Sequence, residues 1–144
     1  MRNECGFTFF ELLLVIVLIS ILAALSSPFL SRFLTQNYLE DTTNKFVKTL
    51  RKAQNYALEG KEGSKWGVHY GNNQLILFKG NWYGEDHSFD EAFQIPTTIS
   101  ISGWSDVTFL KIRGKPSASL AITVSSSIES RTVTLNKEGI VDVQ

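Results

Sequence analysis

The chain has 144 residues, of which 43% are apolar and 19% are charged. Its 14 basic and 14 acidic residues give a formal net charge of zero, which argues against binding nucleic acid through bulk charge. The single cysteine, Cys5, excludes an intrachain disulfide, and the two histidines are too few for a zinc cluster of the Cys/His type. Length and composition predict one globular domain plus one apolar segment.

The first element is an apolar stretch from Phe7 to Ser27, in which Glu11 is the only ionisable residue. About 20 residues in a helix rise roughly 30 Å, which is enough to cross the hydrocarbon core of a bilayer. Two interpretations fit this stretch. One is a cleavable secretory signal, for which Ala24-Leu25-Ser26 is an acceptable cleavage site, and the other is a retained membrane anchor.

Glu11 favours the anchor. A carboxylate in an apolar helix costs about 2.5–3.5 kcal/mol on insertion scales, and the apolar core of a signal gains nothing from it. Ionisable residues inside membranes usually have a partner and a function. The alternative is that Glu11 stays hydrated at the interface, where its charge suits the N-terminus of the helix dipole. We interpret it as a functional residue of a retained helix.

The residues Cys5-Gly6-Phe7-Thr8-Phe9-Phe10-Glu11, followed by the apolar run, resemble the prepilin signature of type IV pilins and type II secretion pseudopilins. The resemblance implies cleavage by a prepilin peptidase after Gly6, N-methylation of Phe7, a role in assembly for Glu11 and a helix kink at Pro28. Two features depart from the usual pattern. Phenylalanines stand at positions 9 and 10, and the leader MRNECG carries one basic and one acidic residue, so its positive-inside bias is small.

The resemblance also has a physical basis. Cleavage after Gly6 exposes an amine on Phe7, one helical turn before Glu11, and that amine can pair with Glu11 of a neighbour when helices stack with an axial stagger. Because an unpaired buried carboxylate is costly, the pairing selects the register. The resemblance implies, as partners, other pilin subunits, the peptidase, an inner-membrane assembly platform, a cytoplasmic ATPase and, before assembly, membrane lipid. It implies that the chain first spans the inner membrane once, with the head in the periplasm or outside, and is then incorporated into a filament.

The apolar stretch is predicted to continue into an amphipathic helix, so that one helix runs from near Thr8 to near Glu59. Apolar residues at helical spacing predict a buried stripe along this helix. Gly60 is predicted to end it, because glycine is favoured just after the last turn of a helix. Members of the stripe are Leu39, Thr43, Phe46, Leu50, Ala53 and Ala57. The basic cluster Lys45–Lys52 is interpreted as a solvated face, with lipid headgroups or nucleic acid as the alternative contact.

Short β-like runs follow the helix. A hairpin is predicted around Gly71-Asn72-Asn73, a loop over Gly80–Glu91, and a last hairpin at Asn136–Gly139. The predicted strands are Lys65–Tyr70, Gln74–Lys79, Phe93–Ile95, Thr98–Ile101, Val107–Ile112, Ser119–Ser125, Ser130–Leu135 and Ile140–Val143. The fold class is therefore α+β, with a long helix packed against an antiparallel sheet, as in pilins. The predicted segments are a leader (1–6), a transmembrane and filament-core helix (7–28), an amphipathic helix (29–60) and a β-rich head (61–144).

A looser resemblance covers the tail. The pieces Phe109–Pro116, Leu120–Val124 and Arg131–Ile140 look like the GspH/FimT-like group of minor pilins and pseudopilins. Some relatives in this group bind DNA through basic residues at the C-terminal hairpin. No arginine follows Gly139 in this chain, which argues against DNA uptake.

No catalytic motif is present in the sequence and no cofactor is expected, so the favoured function is a structural filament subunit. His69 and His87 are interpreted as surface or hydrogen-bonded histidines. The acidic residues Asp86, Asp90 and Glu91 leave calcium as an alternative, and Trp82, Tyr83 and Phe89 form either a contact surface or a satellite core. Two other functions stay open. One is a minor pilin whose head binds DNA or another ligand in transformation or adhesion, and the other is a secreted β-domain with an ordinary signal.

Overall fold

The computed structural model describes residues 8–144, with the side chains of residues 25–28 excepted. A long helix is followed by antiparallel strands, which is the α+β architecture predicted from the sequence. The elements are α1 (Phe9–Leu58), β1 (Trp66–Gly71), β2 (Gln74–Lys79), β3 (Asp86–Gln94), β4 (Ser100–Ser102), β5 (Val107–Phe109), β6 (Leu120–Ser125), β7 (Ser130–Leu135) and β8 (Val141–Val143). The chain divides into two compact units, Met1–Leu34 and Thr35–Gln144.

Helix α1 has 50 residues, and its bounds confirm the predicted single helix. Thr8 caps its start, since the Thr8 hydroxyl oxygen accepts a hydrogen bond from the Glu11 amide at 3.2 Å. At its end, Gly60 takes a left-handed φ of 64° and donates its amide to the Ala57 carbonyl at 3.1 Å. The helix runs through Pro28, whose side chain lies outside the described residues, so the kink there stays a prediction.

The first sheet has the strand order β3-β2-β1-β5. Its β1–β2 hairpin pairs Gly71 with Gln74 across Asn72 and Asn73, whose φ values are 52° and 57°. Positive φ at both central residues is the geometry of a type I′ turn, which matches the twist of the two strands. The predicted hairpin at this position is confirmed.

The prediction of a loop over Gly80–Glu91 is wrong in its second half, because β3 begins at Asp86 and also contains His87. Glycine, asparagine, aspartate and aromatic residues made this segment look irregular. In the structure Asp86 pairs with Lys79 at 2.9 Å and Glu91 pairs with Lys52 at 2.5 Å. The strand lies at the edge of the sheet and is largely exposed, so charged side chains are tolerated there.

The second sheet has the order β4-β6-β7-β8, so the one sheet expected from sequence is two four-stranded sheets. The last hairpin is closed by Asn136, whose side-chain oxygen accepts hydrogen bonds from the Glu138 and Ile140 amides. Between β4 and β6 the chain returns to the first sheet to form β5. Strand β5 ends at Phe109 rather than at Ile112, because residues 110–115 turn back on themselves.

The core of the second unit lies between α1 and the two sheets. Phe46 packs its ring against Tyr70 and Trp104, with centroid distances of 5.8 and 5.4 Å. The predicted helical stripe is confirmed, since every member is buried: Leu39, Thr43, Phe46, Leu50, Ala53 and Ala57. The sheets supply the opposite wall, chiefly with Trp66, Val68, Leu77, Phe109, Ile122 and Leu135.

Candidate functional site

The first turns of α1 carry apolar side chains that the chain itself does not cover. From Phe9 to Leu22 the large apolar residues are 43–77% exposed. The helix contains a window with a mean hydropathy of 2.7, and it is long and apolar enough to cross a membrane. Apolar surface in water costs about 25 cal/mol per Å², so this surface needs lipid or protein around it.

Glu11 is set into this surface by the helix cap. Its amide donates to both the hydroxyl and the carbonyl oxygen of Thr8, at 3.2 and 3.1 Å, which places Glu11 in the first turn. Its side chain is exposed and makes no hydrogen bond or ion pair with another described residue. A carboxylate at this position is available to a cation brought by another molecule.

Of the residues predicted for processing and assembly, Glu11 lies in the first turn of α1, where its amide bonds the Thr8 hydroxyl. Its role in assembly stays a prediction. Gly6 and Phe7 lie outside the described residues, so the geometry of cleavage and methylation stays a prediction. The same holds for Cys5 and the rest of the expected leader.

Comparison with protein families decides what this segment is. The family model described as the prokaryotic N-terminal methylation motif matches residues 1–27. The match supports a relation to type IV pilins and pseudopilins for this N-terminal segment. This pilin motif belongs to structural subunits that assemble into pili, not to enzymes. Comparison with curated proteins and with solved structures found no match.

The basic face of the pilin-like helix is largely engaged by the head itself. Lys45, Lys48 and Lys52 line a groove of about 240 Å³ together with Thr49 and Phe93. Lys45 pairs with Asp41 at 2.9 Å, and Lys52 pairs with Glu91, whose hydrogen bond raises the pKa of the Lys52 amine. Two of the three amines are therefore paired within the chain, and the interpretation of this cluster as a solvated face stays a prediction.

The C-terminal hairpin is not strongly basic. It carries Lys137 and Glu138, and Glu138 pairs with Lys115 at 2.9 Å. The hairpin therefore brings no concentrated positive charge, which is what a phosphate backbone requires.

Both histidines of the pilin-like head have carboxylate partners. His69 Nδ1 lies 2.8 Å from Asp106, and the His69 ring stacks on Tyr83 with centroids 4.0 Å apart. His87 Nδ1 lies 2.6 Å from Asp90. These contacts give the histidines structural partners, and sequence reasoning missed the His69–Tyr83 stack because the two residues come from different elements.

The acidic residues weighed for calcium point to separate partners. Asp86 contacts Lys79, whose hydrogen bond holds the pKa of the Asp86 carboxyl well below its usual range. Asp90 and Glu91 pair with His87 and Lys52. Within residues 8–144, no group of three or more His, Cys, Asp or Glu side chains is arranged to hold a metal ion.

The three aromatic residues weighed as a contact surface or a satellite core differ in their packing. The Tyr83 ring meets Phe78 at 5.9 Å as well as His69, which fits a small satellite cluster. Phe89 is 36% exposed and meets Trp66 of the main core edge-on at 6.2 Å. Trp82 is 62% exposed.

Proposed function

We propose that this chain is a minor pilin or pseudopilin of the GspH/FimT-like group, made as a precursor and built into a filament through its N-terminal helix. The observation that carries the proposal is the methylation motif over residues 1–27, joined to an uncovered apolar helix with a carboxylate in its first turn. The tail resemblance over Phe109–Pro116 and Arg131–Ile140 supports the minor-subunit class.

The maturation steps follow from the motif. A prepilin peptidase cleaves after Gly6, and the new N-terminal residue, Phe7, is N-methylated. The precursor sits in the inner membrane as a single-pass protein with its head in the periplasm or outside. Its segments are the leader (1–6), the membrane and filament-core helix (7–28), the amphipathic helix (29–60) and the head (61–144). An assembly platform and a cytoplasmic ATPase then move it from lipid into the filament.

Glu11 fixes how the helices stack. In the membrane the apolar side chains contact lipid, and in the filament they contact neighbouring helices. The Glu11 carboxylate pairs with the amine of Phe7 on an adjacent subunit, which neutralises a charge that the filament core would otherwise leave unpaired. An unpaired buried charge costs several kcal/mol, so registers that miss the pair are disfavoured.

The mass of the mature N-terminus tests the maturation steps. Protein isolated from cell envelopes should begin at Phe7 with one added methyl group. A chain that begins near Ser27 would establish the secretory-signal interpretation and overturn the proposal.

A pair of variants tests the role of Glu11. Glu11→Val should insert into the membrane normally, because it removes a charge from the apolar helix, but it should not enter filaments. The control is Glu40→Val, an exposed acid further along the same helix, which should assemble like wild type. Normal filament yield from Glu11→Val would show that the amine–carboxylate pair is not required.

A further inference from the structure

The groove beside the basic face of α1, here named the α1–β3 groove, lies between this helix and the edge strand β3. Four of its lining residues come from α1 at spacings of three and four, which place side chains on one helical face. The fifth comes from β3 and packs partly against the core. Its surface is mostly apolar, because lysine stems and a phenylalanine ring supply much of it. The lining residues are Lys45, Lys48, Thr49, Lys52 and Phe93.

The positive charge of the α1–β3 groove is only partly neutralised by the chain. Lys45 pairs with Asp41 at 2.9 Å, and Lys52 pairs with Glu91 at 2.5 Å. Lys48 lies between these two lysines on the helix, and its amine forms no ion pair or hydrogen bond with another residue of the described range 8–144. Since like charges four residues apart on a helix repel each other, an anion beside Lys48 is favourable. Lys48 is therefore the amine that the groove offers to an anion.

Thr49 adds a second polar group to the α1–β3 groove. It is only 3% exposed, and its hydroxyl makes no hydrogen bond with another residue of the chain as described. Thr43 on the same helix differs, because its hydroxyl donates to the Leu39 carbonyl at 2.8 Å. Burial of a hydroxyl without a hydrogen bond is unfavourable. A ligand oxygen in the groove would supply the bond that Thr49 lacks.

The size and polarity of the α1–β3 groove define the chemical class of the ligand. An apolar cavity of about 150 Å³ holds a benzene ring, so a groove of about 240 Å³ accommodates a ring or a short alkyl chain together with a carboxylate. A nucleic-acid backbone requires several unpaired cations, and a stable protein partner requires about 20–30 residues on each side. One free amine and five lining residues suit a small monoanion instead.

We infer that the α1–β3 groove binds a small carboxylate with an aromatic or short aliphatic body. The carboxylate accepts hydrogen bonds from the Lys48 amine and the Thr49 hydroxyl, and the apolar body packs against Phe93. Charge-assisted hydrogen bonds of this kind fix the orientation of the ligand, while the apolar lining contributes the burial. The inference is independent of the proposed function, because every residue of the groove belongs to the unit Thr35–Gln144.

Titration calorimetry of the full-length chain in phosphatidylcholine nanodiscs tests the site, with phenylacetate as the probe. Phenylacetate should bind saturably, with a Kd in the millimolar range or tighter. Phenethyl alcohol has a similar body without the charge, and acetate has the charge without the ring. Each should bind about ten-fold more weakly than phenylacetate. Equal binding of the alcohol would indicate apolar partition only, and equal binding of acetate an adventitious ion only; either result would overturn the inference.

Three variants locate the bound probe. Lys48→Met keeps the apolar stem and should weaken phenylacetate binding about ten-fold. Thr49→Val should weaken it several-fold without lowering the melting temperature, because it removes a hydroxyl that has no partner in the head. The control is Lys137→Met, an exposed lysine of the last hairpin that forms no ion pair with a described residue, and it should bind like wild type. Wild-type affinity in Lys48→Met, or an equal loss in Lys137→Met, would show that the probe does not occupy this groove.

Competition identifies the source of the anion. Glycerol phosphate, which carries the charge of a lipid headgroup, should not displace phenylacetate, since it has no apolar body to place against Phe93. Displacement at equal concentration would assign the groove to a phosphate headgroup and overturn the carboxylate inference. A chain that binds phenylacetate but is found unprocessed would contradict only the proposed function, whereas a methylated filament subunit that binds no phenylacetate would contradict only this inference.

Discussion

Replacing Phe46 by alanine should remove the main contact that α1 makes with both halves of the head. The Phe46 ring is fully buried and meets Tyr70 of β1 and Trp104 of the segment between β4 and β5. Because β1 and the segment between β4 and β5 both pack on this ring, the surrounding backbone can close only part of the cavity that its loss would leave.

The size of the effect follows from the burial. Truncation of a fully buried phenylalanine costs about 3–5 kcal/mol, out of a total stability of roughly 5–15 kcal/mol for a domain of this size. The unit Thr35–Gln144 has about 110 residues, so its unfolding entropy is about 0.23 kcal/mol per kelvin. Phe46→Ala should therefore lower the melting temperature by about 13–22 °C. Phe46→Leu, which leaves a smaller cavity, should cost about 1 kcal/mol and roughly 5 °C.

Thermal unfolding of the full-length chain in detergent, followed by near-ultraviolet circular dichroism, measures these shifts. The control is Tyr38→Ala, an aromatic residue of the same helix that is 44% exposed, for which we expect a loss below about 0.5 kcal/mol. If Phe46→Ala melts no lower than Tyr38→Ala, the packing of α1 against the sheets described above is incorrect.

Three further outcomes are expected. The hydrogen bond from Lys79 holds the pKa of Asp86 below its ordinary value of 3.8, so the stabilisation from the ionised Asp86 is complete above about pH 4 and is lost as the pH falls further. In Asp86→Asn the melting temperature should therefore fall less steeply below pH 4 than in wild type. An unchanged dependence of the melting temperature on pH would contradict this. Gly67→Ala would place a methyl group 2.8 Å from the Val107 carbonyl oxygen, and urea unfolding should show a loss of about 1–3 kcal/mol, whereas wild-type stability would argue against this close approach. Gly6→Leu should block processing, which a gel would reveal as retained precursor, and wild-type mobility would refute cleavage after Gly6.

Sequence alone was enough to predict α1 and its buried stripe. A 3.6-residue period over Leu39, Phe46 and Leu50 specifies one face of a helix whatever covers it, and Gly60 marks the end because few other residues adopt its φ. The β1–β2 hairpin was equally predictable, since Asn72-Asn73 between two apolar runs favours a tight turn. In each case the signal is local, lying within a few residues of the structure it determines.

The features that sequence did not predict depend on distant partners. Strand β3 was missed because a segment rich in Gly, Asn, Asp and aromatic residues is typical of a loop. The ion pairs of Asp86 with Lys79 and of Glu91 with Lys52 join it to residues elsewhere in the chain. The turn over residues 110–115 was missed because one of its hydrogen bonds, from the Ile112 amide to the Ala57 carbonyl, joins residues 55 positions apart in the chain. The position of Glu11 near the helix start was predictable from the motif. The pairing proposed for Glu11 involves a second molecule, so neither the sequence nor the structure of one chain determines it.

The crossing of β5 between the sheets has a consequence for the order of folding. The first sheet takes three early strands and β5, and the second takes β4 and the last three, so neither sheet is a contiguous piece of polypeptide. Strand β4 pairs with β6, and β5 lies between these two strands in the chain. The second sheet therefore cannot form before the chain has passed through all four strands of the first. Pairings between strands so far apart in sequence slow folding, and we expect the two sheets to form in one cooperative transition.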